Sequence, residues 1–393
     1  MNTPFKVVHQ CSVWLELTQT WLYNLVRYLP EHVENHVVCR RARNLNHFQF
    51  GQVHALKSDA RWLYLMQRLT ALIGQKQTLP FLERNLSTLQ PEILHSHFGN
   101  NGWKALRTAE HFDLRHFVSF YGQDVSRLPK QNPVWINRYQ ELFNSTQTRF
   151  LCEGSHMAQC LVAMGCDRDK VQVHHLGVEV DKIPYRPRKW QASEPLRVLL
   201  AASFREKKGL PYALEALGRL RTQLPLEITI IGDAGKDHGS RQEKQKMMDI
   251  IARHQLGGST RLLGYQPQPV LWEQAFAHHL FLSPSITAND GDTEGGAPVS
   301  LIEMAASGMP VVSSFHCDIP EVIRHGETGW LAPERDVSAI VNAIEQWLNQ
   351  PDDWETMLHT GRQHIEQHYD ARTQGMILAQ HYKNSLTGQA NTT

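Results

Sequence analysis

Residues Thr293–Pro310 read TEGGAPVSLIEMAASGMP, the most informative run in the chain. Its layout is mechanical. Gly295 and Gly296 make a flexible loop, Pro298 suits the first turn of a helix, Gly308 can end that helix and Pro310 opens the next strand. A helix start preceded by glycines presents free backbone N–H groups and the positive end of a dipole, a site suited to phosphate. Glu294 lies in the loop before the helix. Glu303 sits about one turn inside it, too far along to act as a cap. Taken alone, the two glutamates read as solvated acids flanking a helix start, so their meaning depends on the surrounding sequence.

The rest of the second half repeats one pattern, a strand followed by a turn that carries glycine, proline or basic residues. Ala202–Gly209 reads ASFREKKG, Ile230–Gly235 reads IIGDAG, Leu263–Pro267 reads LGYQP and Phe281–Ser285 reads FLSPS. Short β-branched runs predict strands at 6–9, 35–39, 52–56, 93–95, 117–120, 149–152 and 171–174. In the second half they fall at 197–201, 227–231, 261–263, 280–283, 310–313 and 330–332. Stretches of 3.6-residue period such as Leu210–Leu220 and Pro298–Ala306 lie between them. This alternation predicts an α/β protein with parallel sheets covered by helices on both faces. Pro184, Pro187 and Pro195 interrupt a polar stretch before Leu196 starts a fresh apolar strand, which predicts two Rossmann-like domains joined near 184–195 across a cleft.

Composition narrows the class. The 393 residues are 41% hydrophobic and 20% charged, with 40 Lys and Arg against 39 Asp and Glu, as in an ordinary globular protein. No run approaches the ~20 apolar residues of a membrane span. Met1–Val8 passes straight into a strand-like segment without the apolar stretch of a secretory signal. The six cysteines form no CxxC pair, so buried thiols in a reducing cytoplasm are expected. The halves differ in charge. Residues 1–190 hold 23 Lys and Arg against 15 Asp and Glu, and residues 191–393 hold 17 against 24. A cationic half without a nucleic-acid motif fits either an anionic partner, such as a lipid surface, or two domains of complementary charge.

Together these segments resemble the retaining glycosyltransferases of GT-B fold, of the family-4 type (glycosyl transferases group 1), in their exopolysaccharide and colanic-acid-like branch. The resemblance covers nearly the whole chain. Outside the donor block it includes LTQTWLYNL (17–25), HSHF (95–98), SFYGQD (119–124), EGSHM (153–157), HLGVEVD (175–181) and IPEVIRHGETGW (319–330). It implies an N-terminal acceptor domain at 1–185, a C-terminal donor domain at 186–370 and a helix at 371–387 crossing back to the first domain. The activity implied is transfer of a sugar from a UDP- or GDP-linked donor to a saccharide or lipid-linked saccharide acceptor. Neither a cofactor nor a metal is implied, and the location is cytoplasmic or peripheral at the inner membrane face.

The family's roles carry over residue by residue. The helix opening at Pro298, Val299, Ser300 and Leu301, with Gly295 and Gly296 before it, would hold the donor diphosphate. Lys208 and Arg205 would neutralise its charge. Glu303 would accept hydrogen bonds from the nucleotide ribose, and Glu294 would hold hydroxyls of the moving sugar. Gly232, Gly264 and Tyr265 would flank the base. Three departures stand out. Eight residues rather than seven separate the two glutamates. Ala202–Ser203 replaces Gly-Arg before the basic turn. Tyr121 stands where many members carry a histidine. His97, Tyr121 and Asp124 are the acceptor-side candidates, Tyr121 without a general-base role because phenol lacks imidazole's titration range.

Other signals read differently. Asp290-Gly-Asp292 is a DxD, but it lies beside the glutamate motif rather than after an N-terminal nucleotide unit, so a metal role is not assigned. The adjacent histidines at 174–175 and 278–279 lack zinc spacing. Trp62, Met66, Leu69 and Ile73 share one helical stripe, read as core-facing, with a helix lying on a bilayer as the alternative. Two rival functions share the architecture: a nucleotide-sugar epimerase, and a non-catalytic nucleotide-sugar-binding subunit of a polysaccharide assembly complex.

Overall fold

Among the described residues, thirteen strands in two parallel sheets carry the fold. The computed structural model describes residues 3–16, 19–72 and 79–388, with backbone alone at 67–72. The first sheet contains β1 (Phe5–Trp14), β2 (Val33–Ala42), β3 (Val53–Ala55), β4 (Ile93–His97), β5 (Arg115–Ser119), β6 (Thr148–Cys152) and β7 (Val171–Val173). The second contains β8 (Leu196–Ala201), β9 (Leu226–Ile231), β10 (Thr260–Gly264), β11 (Leu280–Leu282), β12 (Val311–Ser314) and β13 (Trp330–Ala332). Their orders are β3-β2-β1-β4-β5-β6-β7 and β10-β9-β8-β11-β12-β13. In both, the order reverses direction beside the first strand, the point at which doubly wound sheets open a crevice at their strand ends.

Each predicted strand is present, because central parallel strands buried on both faces must be nearly continuous apolar runs. Val198 and Leu200 on β8, Ile228 and Ile230 on β9, and Leu280 and Leu282 on β11 are at most 1% exposed. They form the second unit's core with Leu214, Leu217, Ile344 and Trp347 from the covering helices. The first unit's core joins Val7, Trp14, Ile93 and Phe117 of the sheet to Leu22, Val26, Leu378 and Tyr382 of two helices.

The chain divides into two compact units, one reaching to Glu179 and resuming at Asp370, the other running from Val180 to Tyr369. Re-entry is fixed locally: Ala371 donates its N–H to the Val178 carbonyl, and the Asp370 carboxylate caps the helix Ala371–Thr387 at the N–H groups of Arg372 and Thr373. Residues 184–195, read as a stiff connection, are docked on the second unit. The Arg186 and Arg188 amides donate to the Ser307 and Gly308 carbonyls, and the buried Arg188 guanidinium reaches Ala275 O and Ser307 Oγ. Carbonyls left over at the end of the helix Val299–Ala306 need donors, and this strap supplies them.

The stripe read as core-facing at 62–73 turns outward where its side chains are described. Trp62 is 72% exposed and Met66 39%, while Tyr64, between them, is the buried one among the described side chains of the helix Arg61–Leu72. Arg41 explains the rotation, since its guanidinium donates to the Tyr64 hydroxyl and holds that ring on β2. The Leu69 side chain and Ile73 lie outside the described residues. Among those described, no helix is long and apolar enough to cross a membrane.

Candidate functional site

In the second unit, the ends of β8, β11 and β12 bring three loops together. The β8 loop makes a short helical turn at Glu206–Lys208 and leaves it through Gly209, whose φ of +64° is a left-handed conformation. A Cβ on Gly209 would stand 1.8 Å from the Pro284 carbonyl oxygen, so only glycine lets this turn press against the loop after β11. The Lys207 carbonyl accepts from Ile286 N–H in the same contact. Two lysines are thereby aimed at the loop before the helix Val299–Ala306.

Glu294 is the centre of that loop. Lys208 Nζ lies 2.8 Å from its Oε2 and Lys207 Nζ 3.8 Å, while Ser285 Oγ donates to Oε1 at 3.0 Å. The side chain is 6% exposed. Burial alone would raise this carboxyl, but Lys208 and then Lys207 more than offset it and hold it at about 2. Lys207 also donates to the Thr293 carbonyl at 2.7 Å and pairs with Asp292 at 3.3 Å. Behind Glu294, its own N–H donates to His316 Nε2, and His316 Nδ1 pairs with Glu334 at 2.6 Å. Glu334 in turn accepts from Thr287 N–H at 2.8 Å.

The helix that follows starts without a side-chain cap, with Pro298 as its N-cap residue. This narrows the expectation for its opening. Pro298 has no N–H to give, and the Leu301 N–H is turned inward to the Pro298 carbonyl at 2.9 Å. Val299 and Ser300 are the two amides placed to meet an anion. Gly295 takes a φ of +81° in the loop, and Gly296 is buried beside it.

The remaining second-unit candidates are spread around this cluster. Arg205 is half-exposed and lies 3.9 Å from Asp292 rather than beside Glu294. Ser203 offers its carbonyl to Arg205 N–H. Gly232 and Gly264 bridge the ends of β9 and β10, the Gly232 N–H donating to the Gly264 carbonyl at 2.8 Å. A Cβ at Gly232, where φ is +124°, would meet the Ala202 carbonyl oxygen at 1.8 Å. Tyr265 is 62% exposed and donates its hydroxyl to Asp233 O. Burial pushes the Glu303 carboxyl up to about 7 against a hydrogen bond with Gln268. Of the DxD pair, Asp292 is already occupied by Lys207 and Arg205, and Asp290 Oδ1 accepts from Asp292 N–H.

The first unit's candidates form one hydrogen-bonded chain. His97 Nδ1 lies 2.9 Å from the Tyr121 hydroxyl and its Nε2 lies 3.1 Å from His9 Nδ1. Asp124 accepts from the backbone N–H groups of Gly99 at 2.6 Å and Tyr121 at 2.8 Å. All three residues are buried, and burial lifts Asp124 to about 7 despite these backbone bonds. The β1–β4 register sets His9 directly beside His95, and His95, His97 and His9 form a group whose nitrogens lie within 4.8 Å of one another. Hydrogen bonds to Tyr121, Tyr382 and Ser119 hydroxyls engage the rings of His97 and His95, and burial lowers all three imidazoles. Hydroxyls hold the rings of His95 and His97, while His9 hydrogen-bonds only to His97 and its Nε2 has no partner among the described residues.

Lys207, Ser285, His316 and Glu334 escaped sequence reasoning. Lys207 carried a signal, as the first of two adjacent lysines. The others become neighbours only when the loops after β11 and β12 fold back on each other.

Comparison with known proteins places the chain in a family. Residues 182–364 match the family described as Glycosyl transferases group 1, and residues 18–182 match Glycosyltransferase Family 4. The chain is 36% identical over 274 residues to the Erwinia amylovora amylovoran biosynthesis glycosyltransferase AmsK, covering 68% of this chain and 64% of that protein. It is 30% identical over 315 residues to the putative colanic acid biosynthesis glycosyltransferase WcaL of Escherichia coli K12, covering 79% of this chain and 73% of that protein. Among solved structures, Anabaena HepE in complex with UDP and glucose superposes with a TM-score of 0.73 at 15% identity. That match covers 96% of this chain and 99% of the other, a likeness of fold. The two parallel sheets, the matches that tile the chain from residue 18 to 364 and the relatives together place it among the GT-B glycosyl transferases of group 1, in the branch that resembles the colanic acid enzymes.

Proposed function

We propose that the chain is a retaining, metal-independent hexosyltransferase that moves a sugar from a UDP- or GDP-linked donor to a saccharide or lipid-linked saccharide during exopolysaccharide assembly. One observation carries this reading: Lys207 and Lys208 converge on Glu294 beside the uncapped helix start at Val299 and Ser300. Such a cluster suits a leaving diphosphate. As the bond from the anomeric carbon to the diphosphate oxygen breaks, charge grows on the phosphate while the sugar becomes oxocarbenium-like. Fixed ammonium groups and helix amides favour that charge distribution over the ground state.

Glu294, kept ionised by the lysines, accepts hydrogen bonds from sugar hydroxyls, and His316–Glu334 holds its backbone in register. Glu303 receives the ribose hydroxyls. The acceptor oxygen attacks the face that the diphosphate leaves, and the departing phosphate oxygen takes its proton. The two lysines provide the positive charge that a divalent ion supplies in other transferases, which is why no metal step is invoked.

The acceptor side falls to the first unit, around His97, Tyr121 and Asp124. The exposed Trp62, Leu65 and Met66, on a helix that begins at Arg61 in the more cationic half of the chain, suit contact with an anionic membrane surface presenting a lipid-linked acceptor. The relatives' names, amylovoran and colanic acid biosynthesis, support a role in exopolysaccharide synthesis.

A thermal-shift panel of UDP, GDP and their hexose conjugates, run with EDTA and then with magnesium, tests donor class and metal independence together. The reading expects stabilisation by one nucleotide class that survives EDTA. Stabilisation by neither class overturns the donor site, and stabilisation that EDTA abolishes overturns metal independence. NMR of the product linkage decides retention by its anomeric configuration.

A further inference from the structure

Within the first unit, the ends of β1 and β2 and three helices surround a cavity of about 120 Å³ that opens to solvent. The helices are Leu56–Asp59, Pro80–Leu89 and Gly99–His111. Part of the lining is apolar, with Val38, Leu56, Phe81 and Leu82 among it. The polar part is lopsided in charge. Arg40 and Lys104 both line the cavity, and among the described residues no carboxylate does.

Neither cation has an ion-pair partner among the described residues. The Arg40 guanidinium rests over the Tyr64 ring at 5.4 Å. Lys104 is half-buried, and its ammonium is lowered by burial first and then by Arg40 and Arg138, with nothing acidic opposing them. Two like charges beside one cavity are unfavourable unless an anion joins them.

A second observation is independent of charge. Gln10 also lines the cavity, is 8% exposed, and its Oε1 has no hydrogen-bond partner in the described structure. A buried amide left open costs on the order of 1–3 kcal/mol, so such a group is normally satisfied by something that arrives. Ser12 and Asn101 lie alongside, hydrogen-bonded to each other at 2.8 Å.

We propose that this cavity binds an anionic sugar group of the acceptor, a uronate or a sugar phosphate, with Lys104 and Arg40 holding the anion and Gln10 meeting a ring hydroxyl. The combination separates this ligand from its competitors. An inorganic anion would leave Gln10 and the Phe81 wall unused, and a neutral sugar would leave the two cations unpaired. The inference deepens the acceptor half of the transferase reading and rests on it. It adds the charge class of the substrate that the first unit takes.

The test titrates the full chain with glucuronate, glucose 1-phosphate and glucose by ligand-observed NMR at low salt, and titrates the same samples with UDP and GDP. At least one anionic sugar is expected to bind ~10-fold or more tightly than glucose, a difference of about 1.4 kcal/mol. Lys104→Met and Arg40→Gln should each remove most of that preference and leave nucleotide affinity unchanged. If Lys104→Met fails to fold, the more exposed Arg40→Gln carries the measurement. Preference for glucuronate assigns a uronate, and preference for glucose 1-phosphate assigns a phosphate ester. Equal affinity for glucose and both anions, or an anion preference that survives both substitutions, overturns the proposal. Loss of nucleotide binding with the anion preference intact would instead refute the donor site, so the two failures are distinguishable.

Discussion

Replacing Glu294 by glutamine tests the site at its centre. The amide keeps the size of the side chain and the bond from Ser285, but it leaves Lys207 and Lys208 as neighbouring cations without their shared counter-ion. Holding the carboxyl at about 2 instead of 4.5 corresponds to about 3 kcal/mol at ~1.4 kcal/mol per pH unit. This is the order expected for breaking a buried pair. In a unit of this size, that loss lowers the melting temperature by roughly 6–12 °C at pH 7.

The sign of the pH dependence follows. A carboxyl lowered in the folded state gives its full stabilisation above its unfolded value of 4.5 and loses it as pH falls towards 2. Thermal or urea unfolding of wild type and Glu294→Gln in a pH series should therefore show a constant gap from pH 7 to 5. By pH 3.5 that gap should have narrowed by about 1.4 kcal/mol. Sugar transfer should fall ~10²-fold or more while nucleoside diphosphate binding is largely kept. Equal melting at pH 7 would refute the electrostatic argument, and near wild-type turnover would refute the sugar-holding role.

Lys208→Ala should weaken UDP or GDP binding ~10-fold or more, read by calorimetry, and an unchanged dissociation constant would remove Lys208 from the diphosphate site. Gly232→Ala forces a Cβ to within 1.8 Å of the Ala202 carbonyl, so the second unit should lose several degrees of melting temperature and its nucleotide binding together. Glu303, raised to about 7, contributes stability below pH 4.5 that is lost as pH rises through 7. Glu303→Gln should flatten that decline in unfolding experiments between pH 5 and 8. Tyr382→Ala empties a fully buried aromatic site in the first unit and should cost about 3–5 kcal/mol there, with donor binding in the second unit preserved at temperatures where both units stay folded.

The strands were legible because parallel sheets buried on both faces impose the simplest of sequence patterns, a short β-branched run. Lys208 and Glu294 were singled out through the family resemblance, but their ion pair was not, because it joins two loops far apart in the chain. Side-chain direction was harder to read. The stripe at 62–73 has sound helical spacing, yet Tyr64 outcompetes Trp62 for the core because Arg41 offers its hydroxyl a partner. Prolines in the polar stretch at 184–195 suggested a stiff connection but not its anchorage, which Arg188 makes with the Ala275 carbonyl and the Ser307 hydroxyl. His316 and Glu334 belong to contacts made by loops, which leave no period in the sequence.

The return of the chain at Asp370 has a consequence for biosynthesis. The second unit is one unbroken segment, but the first stays incomplete until Leu378 and Tyr382 emerge to fill its sheet face. Translation therefore delivers a finished second unit while the strands of the first still wait for the helix that follows it. During that interval the nascent β1–β4 face exposes an apolar surface, and chaperone demand should concentrate there.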